Sequence, residues 1–267
     1  MKKLNMLFIL SLTIIVFGGC AKDDEPTNAD LLQGTWVNTM VNEQPVLTDA
    51  TFIMKFKSDL TQLYAAGFQM NENNKSWHEN SNYTYSVSSS LINIEGTDVL
   101  GNSYKMVFKI ISLDQDTLTY SILTFLVNGE AFANTNTYTC KRVTNDFSTE
   151  FTGVWYGRCT TEGSVDSLNH YWEYFADSTY NYYYQDENSN WIRKSDNEGR
   201  YFLYEQLMAT NYSNDLLSGG TGLAYECWNF TLDGNKMVWT GLRENNIIIT
   251  YEMEKVPSPP ETLKLGH

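Results

Sequence analysis

Gly34-Thr35-Trp36 and, 119 residues later, Gly153-Val154-Trp155 are the two stretches that decide the fold. The same offset brings Phe56, in Phe56-Lys57-Ser58-Asp59-Leu60-Thr61, to Phe175, in Phe175-Ala176-Asp177-Ser178-Thr179-Tyr180. Further on it brings Leu113-Asp114 to Leu232-Asp233 and Tyr120 to Trp239. Near the end the offset falls to 113, pairing Thr137-Tyr138 with Thr250-Tyr251 and Val143 with Val256, which a six-residue deletion in the second copy explains. A spacing kept over so long a stretch between large aromatics is the mark of a duplicated unit. The chain therefore divides into two domains, 31–144 and 149–256, joined by Asn145-Asp146-Phe147-Ser148. So short a join leaves the domains little freedom and predicts a fixed interface between them.

Within each unit the texture is β. Tyr83-Thr84-Tyr85-Ser86-Val87 and Leu118-Thr119-Tyr120-Ser121-Ile122 alternate with period two, as do Ile247, Ile249, Tyr251 and Met253 against Thr250, Glu252 and Glu254. Alternation of this kind turns one face to a core and the other to water, and Thr, Tyr, Val, Ile, Phe and Trp are the residues that suit a pleated surface. Lys57-Ser58-Asp59, Asn128-Gly129 and Asp233-Gly234 supply turns, the last two being dipeptides that accept positive φ. In the first copy strands are expected near 35–41, 50–57, 60–66, 82–88, 91–95, 103–112, 117–126 and 132–143. About eight antiparallel strands with short turns predict an all-β protein of two tandem up-and-down β-barrels, with open β-sandwiches as the alternative. Helix is expected at most as a single turn over Glu205–Asn211.

The Gly-x-Trp opening, the following strand, the Phe-x-x-Asp turn and a closing strand rich in Thr and Tyr resemble the lipocalin-like lipoproteins of Bacteroidetes, twice over. The resemblance implies that Trp36 and Trp155 close one end of a barrel under a basic residue of the last strand. Lys141-Arg142 and Lys255 stand where that residue is needed, with Arg142 and Lys255 the barrel-closing candidates. The Thr-Asp-Tyr block and C-terminal helix of true lipocalins are missing. The N-terminus fits the same family. Met1-Lys2-Lys3, an apolar run from Leu4 to Phe17 and Gly18-Gly19-Cys20 form a secretory leader over 1–20, too short for the roughly 20 residues that cross a bilayer. Phe17-Gly18-Gly19-Cys20 resembles a lipobox, which implies that Cys20 carries the lipid. Ala21-Lys22-Asp23-Asp24-Glu25-Pro26 opens a solvated acidic tether over 21–30 and is similar to the signal that sends such lipoproteins to the outer-membrane surface; the periplasmic face is the alternative. A flexible tail is expected over 257–267.

Charge and cysteines narrow the functions. Loss of 1–20 moves the net charge from −14 to −16, and 145–256 alone carries seven basic and seventeen acidic residues. Such a surface repels phosphate backbones, so nucleic acid is not an expected partner. Cys140, Cys159 and Cys227 permit one disulfide at most, and Cys159 with Cys227 is the pair expected if one forms. The histidines, His78, His170 and His267, have no metal-binding spacing, so neither a metal nor a cofactor is expected. There is no Gly-x-Ser-x-Gly, and the glycine run Gly219-Gly220-Thr221-Gly222 has no lysine to reach a phosphate. Acids of the second copy, among them Asp186, Glu187, Asp196, Glu198, Glu205 and Glu226, leave a carboxylate-based hydrolase as the third-ranked reading. Asp116-Thr117-Leu118, Asp166-Ser167-Leu168 and Asp177-Ser178-Thr179 resemble the O-glycosylation motif of Bacteroidetes secreted proteins.

Aromatics are the remaining signal. Twelve crowd Tyr171–Tyr204, and strictly alternating strands bury only about half of their side chains inside a barrel. Trp172, Tyr174, Tyr182, Tyr184, Trp191 and Tyr204 are therefore the candidate ligand contacts, since Tyr and Trp join apolar area to a polar handle. The leading expectation is a non-enzymatic envelope lipoprotein that binds a small apolar or glycan ligand in or at the mouth of a barrel. The alternative is a structural or protein-binding component with filled barrels.

Overall fold

A computed structural model describes residues 26–59, 61–71, 74–98, 100–161, 164–165, 169–194, 198–212, 224–242 and 247–262. The leader with Cys20, the start of the tether, Asp166-Ser167-Leu168, Asp196, the Gly219–Gly222 run and His267 lie outside the described residues.

The first copy runs through β1 (Gly34–Val41), β2 (Gln44–Pro45), β3 (Phe52–Phe56), β4 (Gln62–Asn71), β5 (Asn74–Ser88), β6 (Leu91–Thr97), β7 (Ser103–Leu113), β8 (Thr117–Val127), β9 (Glu130–Ala131) and β10 (Thr137–Arg142). Its eight principal strands pair antiparallel in the order β1-β3-β4-β5-β6-β7-β8-β10, and β10 returns to β1 to close the barrel. The second copy runs through β11 (Gly153–Thr161), β12 (Ser164–Val165), β13 (His170–Tyr174), β14 (Thr179–Gln185), β15 (Trp191–Arg193), β16 (Gly199–Tyr204), β17 (Leu207–Tyr212), β18 (Ala224–Asp233), β19 (Lys236–Leu242) and β20 (Ile248–Val256). It closes in the same way, β20 pairing with both β19 and β11. The molecule is thus two tandem lipocalin-like barrels and not open sandwiches; closure gives each principal strand a paired neighbour on both sides.

Alternation fills each barrel. Trp36, Met54, Phe56, Tyr85, Ile92 and Phe108 pack inside the first, and Trp155, Tyr174, Tyr201, Met208, Phe230 and Trp239 inside the second. A short helix stoppers one end of each: α1 (Asn28–Leu32) inserts Leu32, and α2 (Ser148–Phe151) inserts Phe151, both fully buried. The helix α1 falls partly inside the stretch expected to be bare tether. Thr27 and Asp30 form a reciprocal capping box there, satisfying two of the backbone N–H groups that a helix start leaves over.

Three details differ from expectation. Phe56 faces Gly34 across β1–β3, whereas Gly153 is faced by Tyr174, so Tyr174 and not Phe175 is the counterpart of Phe56. One residue of slip exchanges the two faces of a strand, and Phe175 falls beyond β13 in the turn before β14. Glu205–Asn211 is no helical turn: Glu205, at φ 53°, turns a hairpin from β16 into β17. The Cys159–Cys227 disulfide does not form. Cys159 shares the parity of Trp155 on β11, while Cys227 lies between the inward Glu226 and Trp228 of β18 and looks outward, so the barrel wall separates them.

The outward face that holds Cys227 is the interface between the barrels. Val37 and Ile53 of the first meet Leu207, Ala209 and Cys227 of the second in one buried apolar cluster. Thr48 Oγ1 donates to Leu242 O at 3.2 Å, and Lys141 Nζ reaches Glu205 Oε1 at 3.2 Å.

Candidate functional site

The closed end of each barrel is built in one way. Trp36 Nε1 donates to Leu32 O and Trp155 Nε1 to Phe151 O, each at 2.8 Å, which ties the tryptophan to its stopper helix. A cation lies over each ring: Arg142 Cζ at 4.1 Å from the Trp36 centroid, Lys255 Nζ at 5.1 Å from that of Trp155. Arg142 also donates to the carbonyls of Leu31, Gln33 and Gln115, and Lys255 to Glu150 O at 2.8 Å. The glycine of Gly-x-Trp is required by the same arrangement. Gly34 has φ +118° and Gly153 φ +130°, and a Cβ would come within 2.6 Å of Arg142 Nη1 or 2.7 Å of Lys255 Cε. These residues hold the barrels shut at one end.

Above that floor the second barrel contains a cavity of about 140 Å³. Its walls are Trp172, Tyr180 and Tyr182 from β13 and β14, Trp228 and Trp239 from β18 and β19, and Tyr251 from β20. Trp172 stacks on Tyr182 at 4.3 Å and meets Trp239 edge-on at 5.2 Å. Tyr251 stands edge-on to Trp228 at 5.6 Å and tilted against Trp239 at 5.5 Å. Met208, Thr210 and Glu226 complete the lining. Glu226 lies four residues before Phe230, which packs on the stopper Phe151. At about 3.3 Å per strand residue, Glu226 lies roughly 13 Å along β18 from Phe230, away from the closed end.

The polarity of this interior is unusual for a barrel core. The indole N–H groups of Trp172 and Trp239 are buried without an acceptor, as is the Tyr174 hydroxyl just below. Buried polar atoms normally find a partner, so three orphans in one place mark a site that something else completes. Burial raises the Tyr174 and Tyr251 phenols well above their ordinary value; nearby tyrosines and the Glu226 charge add to the effect at Tyr174, and Cys159, Tyr182 and Glu226 at Tyr251. Towards the mouth, buried His170 shares a 2.7 Å hydrogen bond between Nδ1 and the Tyr182 hydroxyl.

Of the six aromatic candidates, the structure brings Trp172 and Tyr182 into the cavity. Tyr174 lies beneath it, stacked on Trp172 at 6.5 Å, and Tyr184 continues from Tyr182 at 6.4 Å. The other two are elsewhere. Trp191 packs on the outer wall against Tyr171 at 4.7 Å, and Tyr204 joins the interface between the barrels. The sequence reading missed Tyr180, Trp228, Trp239 and Tyr251 as site residues, and weighed Glu226 only as one of several acids for a hydrolase. The repeat offered a signal for two of them, since Trp239 matches Tyr120, buried inside the first barrel, and Tyr251 matches Tyr138, packed against the same core. Parity offered another: Glu226-x-Trp228-x-Phe230 places an acid on the inward face.

The acids scatter. Asp186 organises its own hairpin tip, Glu198 pairs with Arg193 at 2.5 Å, Glu205 binds Lys141, and Glu226 is the single carboxylate among the described residues that line the cavity. Among the described residues no group of three His, Cys, Asp or Glu side chains is placed to hold a metal ion. Neither a family model nor a curated protein matches the chain.

Proposed function

We propose that the protein is a non-enzymatic binding protein of the cell envelope, held to the outer membrane by lipid on Cys20, and that the second barrel carries the ligand. The observation behind this is the aromatic cavity with three buried, unsatisfied polar atoms on and under its wall. A core selected only for stability fills such space, because unfilled volume and orphaned donors each cost about 1–3 kcal/mol. An engineered cavity of roughly 150 Å³ takes benzene, so this one suits a molecule of about that size. The described lining supplies one carboxylate where a glycosidase uses an acid and base pair, so we rank the hydrolase reading last. The first barrel acts as a support through the shared interface.

Native mass spectrometry of protein purified from its own host tests the reading. A small co-purifying mass, released on denaturation, is the expected result. A bare polypeptide mass, together with an unchanged spectrum for a Trp239→Ala variant, removes the ligand and leaves a scaffold. The anchor has its own test. Seven residues separate Cys20 from α1, so the first barrel cannot stand more than about 25 Å from the lipid. Cys20→Ser is expected to move the protein from the membrane to the soluble fraction, and membrane retention of that variant argues against acylation.

A further inference from the structure

The outer wall of the second barrel carries a row of aromatic side chains. Trp155, Trp172 and Tyr182 hold the inward parity of β11, β13 and β14, so Tyr156, Tyr171 and Tyr183 face outward. Register sets these in line with Arg193: Tyr156 pairs with Tyr171, Tyr171 with Tyr183 and Tyr183 with Arg193. Trp191 shares the face, opposite Gln185, and reaches Tyr171 at 4.7 Å and Tyr156 at 6.4 Å. It is set at 84° to the first ring and 72° to the second, so the three form a corner and not a closed stack. Tyr156, Tyr171 and Trp191 are partly exposed and join neither the barrel cores nor the cluster between the barrels. Their strands lie across the second barrel from β17 and β18, which meet the first barrel, so this face is turned away from that interface.

Planar polar groups flank the rings, and hydrogen bonds hold them in place. On one side Arg158 Nε donates to Asn169 Oδ1 at 2.8 Å, and Gln185 Nε2 donates to Ser189 O at 3.0 Å. On the other, Glu173 Oε2 accepts from Asn181 Nδ2 at 2.9 Å and from the Tyr183 hydroxyl at 3.0 Å, and Arg193 Nη2 donates to Asn181 Oδ1 at 2.9 Å. A guanidinium carries five N–H donors and a carboxylate accepts about four hydrogen bonds, so these groups can bind a ligand without giving up the bonds that orient them. The make-up of the face argues against a protein partner, because carboxylates are depleted from the cores of protein interfaces. Here Glu173 stands beside the row and Glu254 pairs with Tyr156. Val154, itself buried, is the one aliphatic residue among the described outward positions of β11, β13, β14 and β15. Sugar rings are the complement of such a face: flat C–H surfaces meet the aromatics, and neighbouring hydroxyls meet the amides, guanidinium and carboxylate.

We infer that the outer wall of the second barrel binds a neutral oligosaccharide, its sugar rings lodged in the corner of Tyr156, Tyr171 and Trp191 and its hydroxyls bonded by Arg158, Gln185 and Glu173. Charge selects the neutral kind: residues 145–256 carry ten more acids than bases, which repels a chain of uronic acids. From Tyr156 to Arg193 the row crosses four strands, about 14 Å at the usual strand spacing and the length of about three sugar rings. A chain of that size does not fit a cavity of about 140 Å³, so this site is separate from the one inside the barrel and does not depend on it.

Affinity electrophoresis of the full mature chain through gels that contain mixed-linkage β-glucan, galactomannan, amylopectin or polygalacturonate tests the inference. At least one of the three neutral polymers is expected to retard the protein, and the acidic one is not. Trp191→Ala and Tyr171→Ala are each expected to weaken the retarding interaction about tenfold or more, and Trp191→Phe, which keeps a ring, to stay within about threefold of the parent. These side chains lie outside both cores, and a thermal melt of each variant verifies folding. A hexasaccharide of the retarding polymer is expected to compete at least tenfold better than its monosaccharide, as a site several sugar rings long requires. Retardation by none of the neutral polymers, equal retardation by polygalacturonate, or retardation that survives both alanine substitutions overturns the assignment. The ligand of the inner cavity is judged apart from this, by the mass of the host-purified protein.

Discussion

Gly34 and Gly153 occupy equivalent positions but are not equally demanding. Both sit at positive φ under a basic side chain, where any Cβ is strained. Arg142 is pinned by the carbonyls of Leu31, Gln33 and Gln115, so it has no room to retreat from an added methyl. Among the described residues Lys255 donates one hydrogen bond, to Glu150 O, and the atom it presents belongs to a flexible stem. Gly34→Ala is therefore expected to lower stability by about 2–3 kcal/mol and Gly153→Ala by about 1–2 kcal/mol. Urea unfolding of the two variants checks the order, and equal losses would mean that backbone strain, not the overlying cation, dictates the glycine. The ligand cage shows the limit of residue-level reading. Trp172 and Tyr182 were legible because they stand in a dense aromatic run, whereas Glu226 is one acid among many until the register of β18 turns it inward.

At the scale of the element, turns and register separate what was legible from what was not. Asn128-Gly129 and Asp233-Gly234 declare their hairpins, and positive φ at Asn128, Gly129 and Gly234 follows from residues that tolerate it. Strand parity across a gap is not declared in this way: Phe56 and Phe175 look equivalent in the sequence, and only the pairing of Tyr174 with Gly153 shows which aromatic faces inward. Other tips depend on a carboxylate. Asp98 accepts from the N–H groups of Leu100 and Asn102 and from the Tyr104 hydroxyl, and Asp186 from the N–H groups of Asn188 and Asn190. Hydrogen bonds from Asn102 and Asn190 head the causes that lower these two carboxyls below 3.8. A lowered value in the folded state means that the stabilisation is complete above the unfolded value and is lost as pH falls through the folded one. The melting temperature is thus expected to drop as pH falls below about 4. An Asp98→Asn, Asp186→Asn variant, which keeps an acceptor oxygen and cannot titrate there, is expected to show a shallower drop. Parallel curves for the two proteins would remove the tips from the acid response.

The whole molecule is coupled through one face. Val37 and Ile53 point away from the core of the first barrel and are buried where Leu207, Ala209 and Cys227 of the second meet them. That makes the interface separable from either interior. A buried, unpaired carboxylate costs several kcal/mol, and Ile53 is completely enclosed in this cluster, so Ile53→Asp acts on the contact between barrels rather than on either fold. The parent chain is expected to melt in a single calorimetric transition. The variant is expected to melt in two, with the lower one moved down by an amount equivalent to about 3 kcal/mol or more. The ligand provides the sign of the coupling. A molecule bound in the second barrel stabilises that barrel directly and reaches the first only through this interface. A ligand of the second barrel at saturating concentration should therefore raise the single transition of the parent but only one of the two transitions of Ile53→Asp. If both transitions of the variant rise together, the barrels communicate by a route other than the Val37–Ile53 face, and the short join through Phe147, whose ring packs on Phe230 at 5.7 Å, becomes the element to alter next.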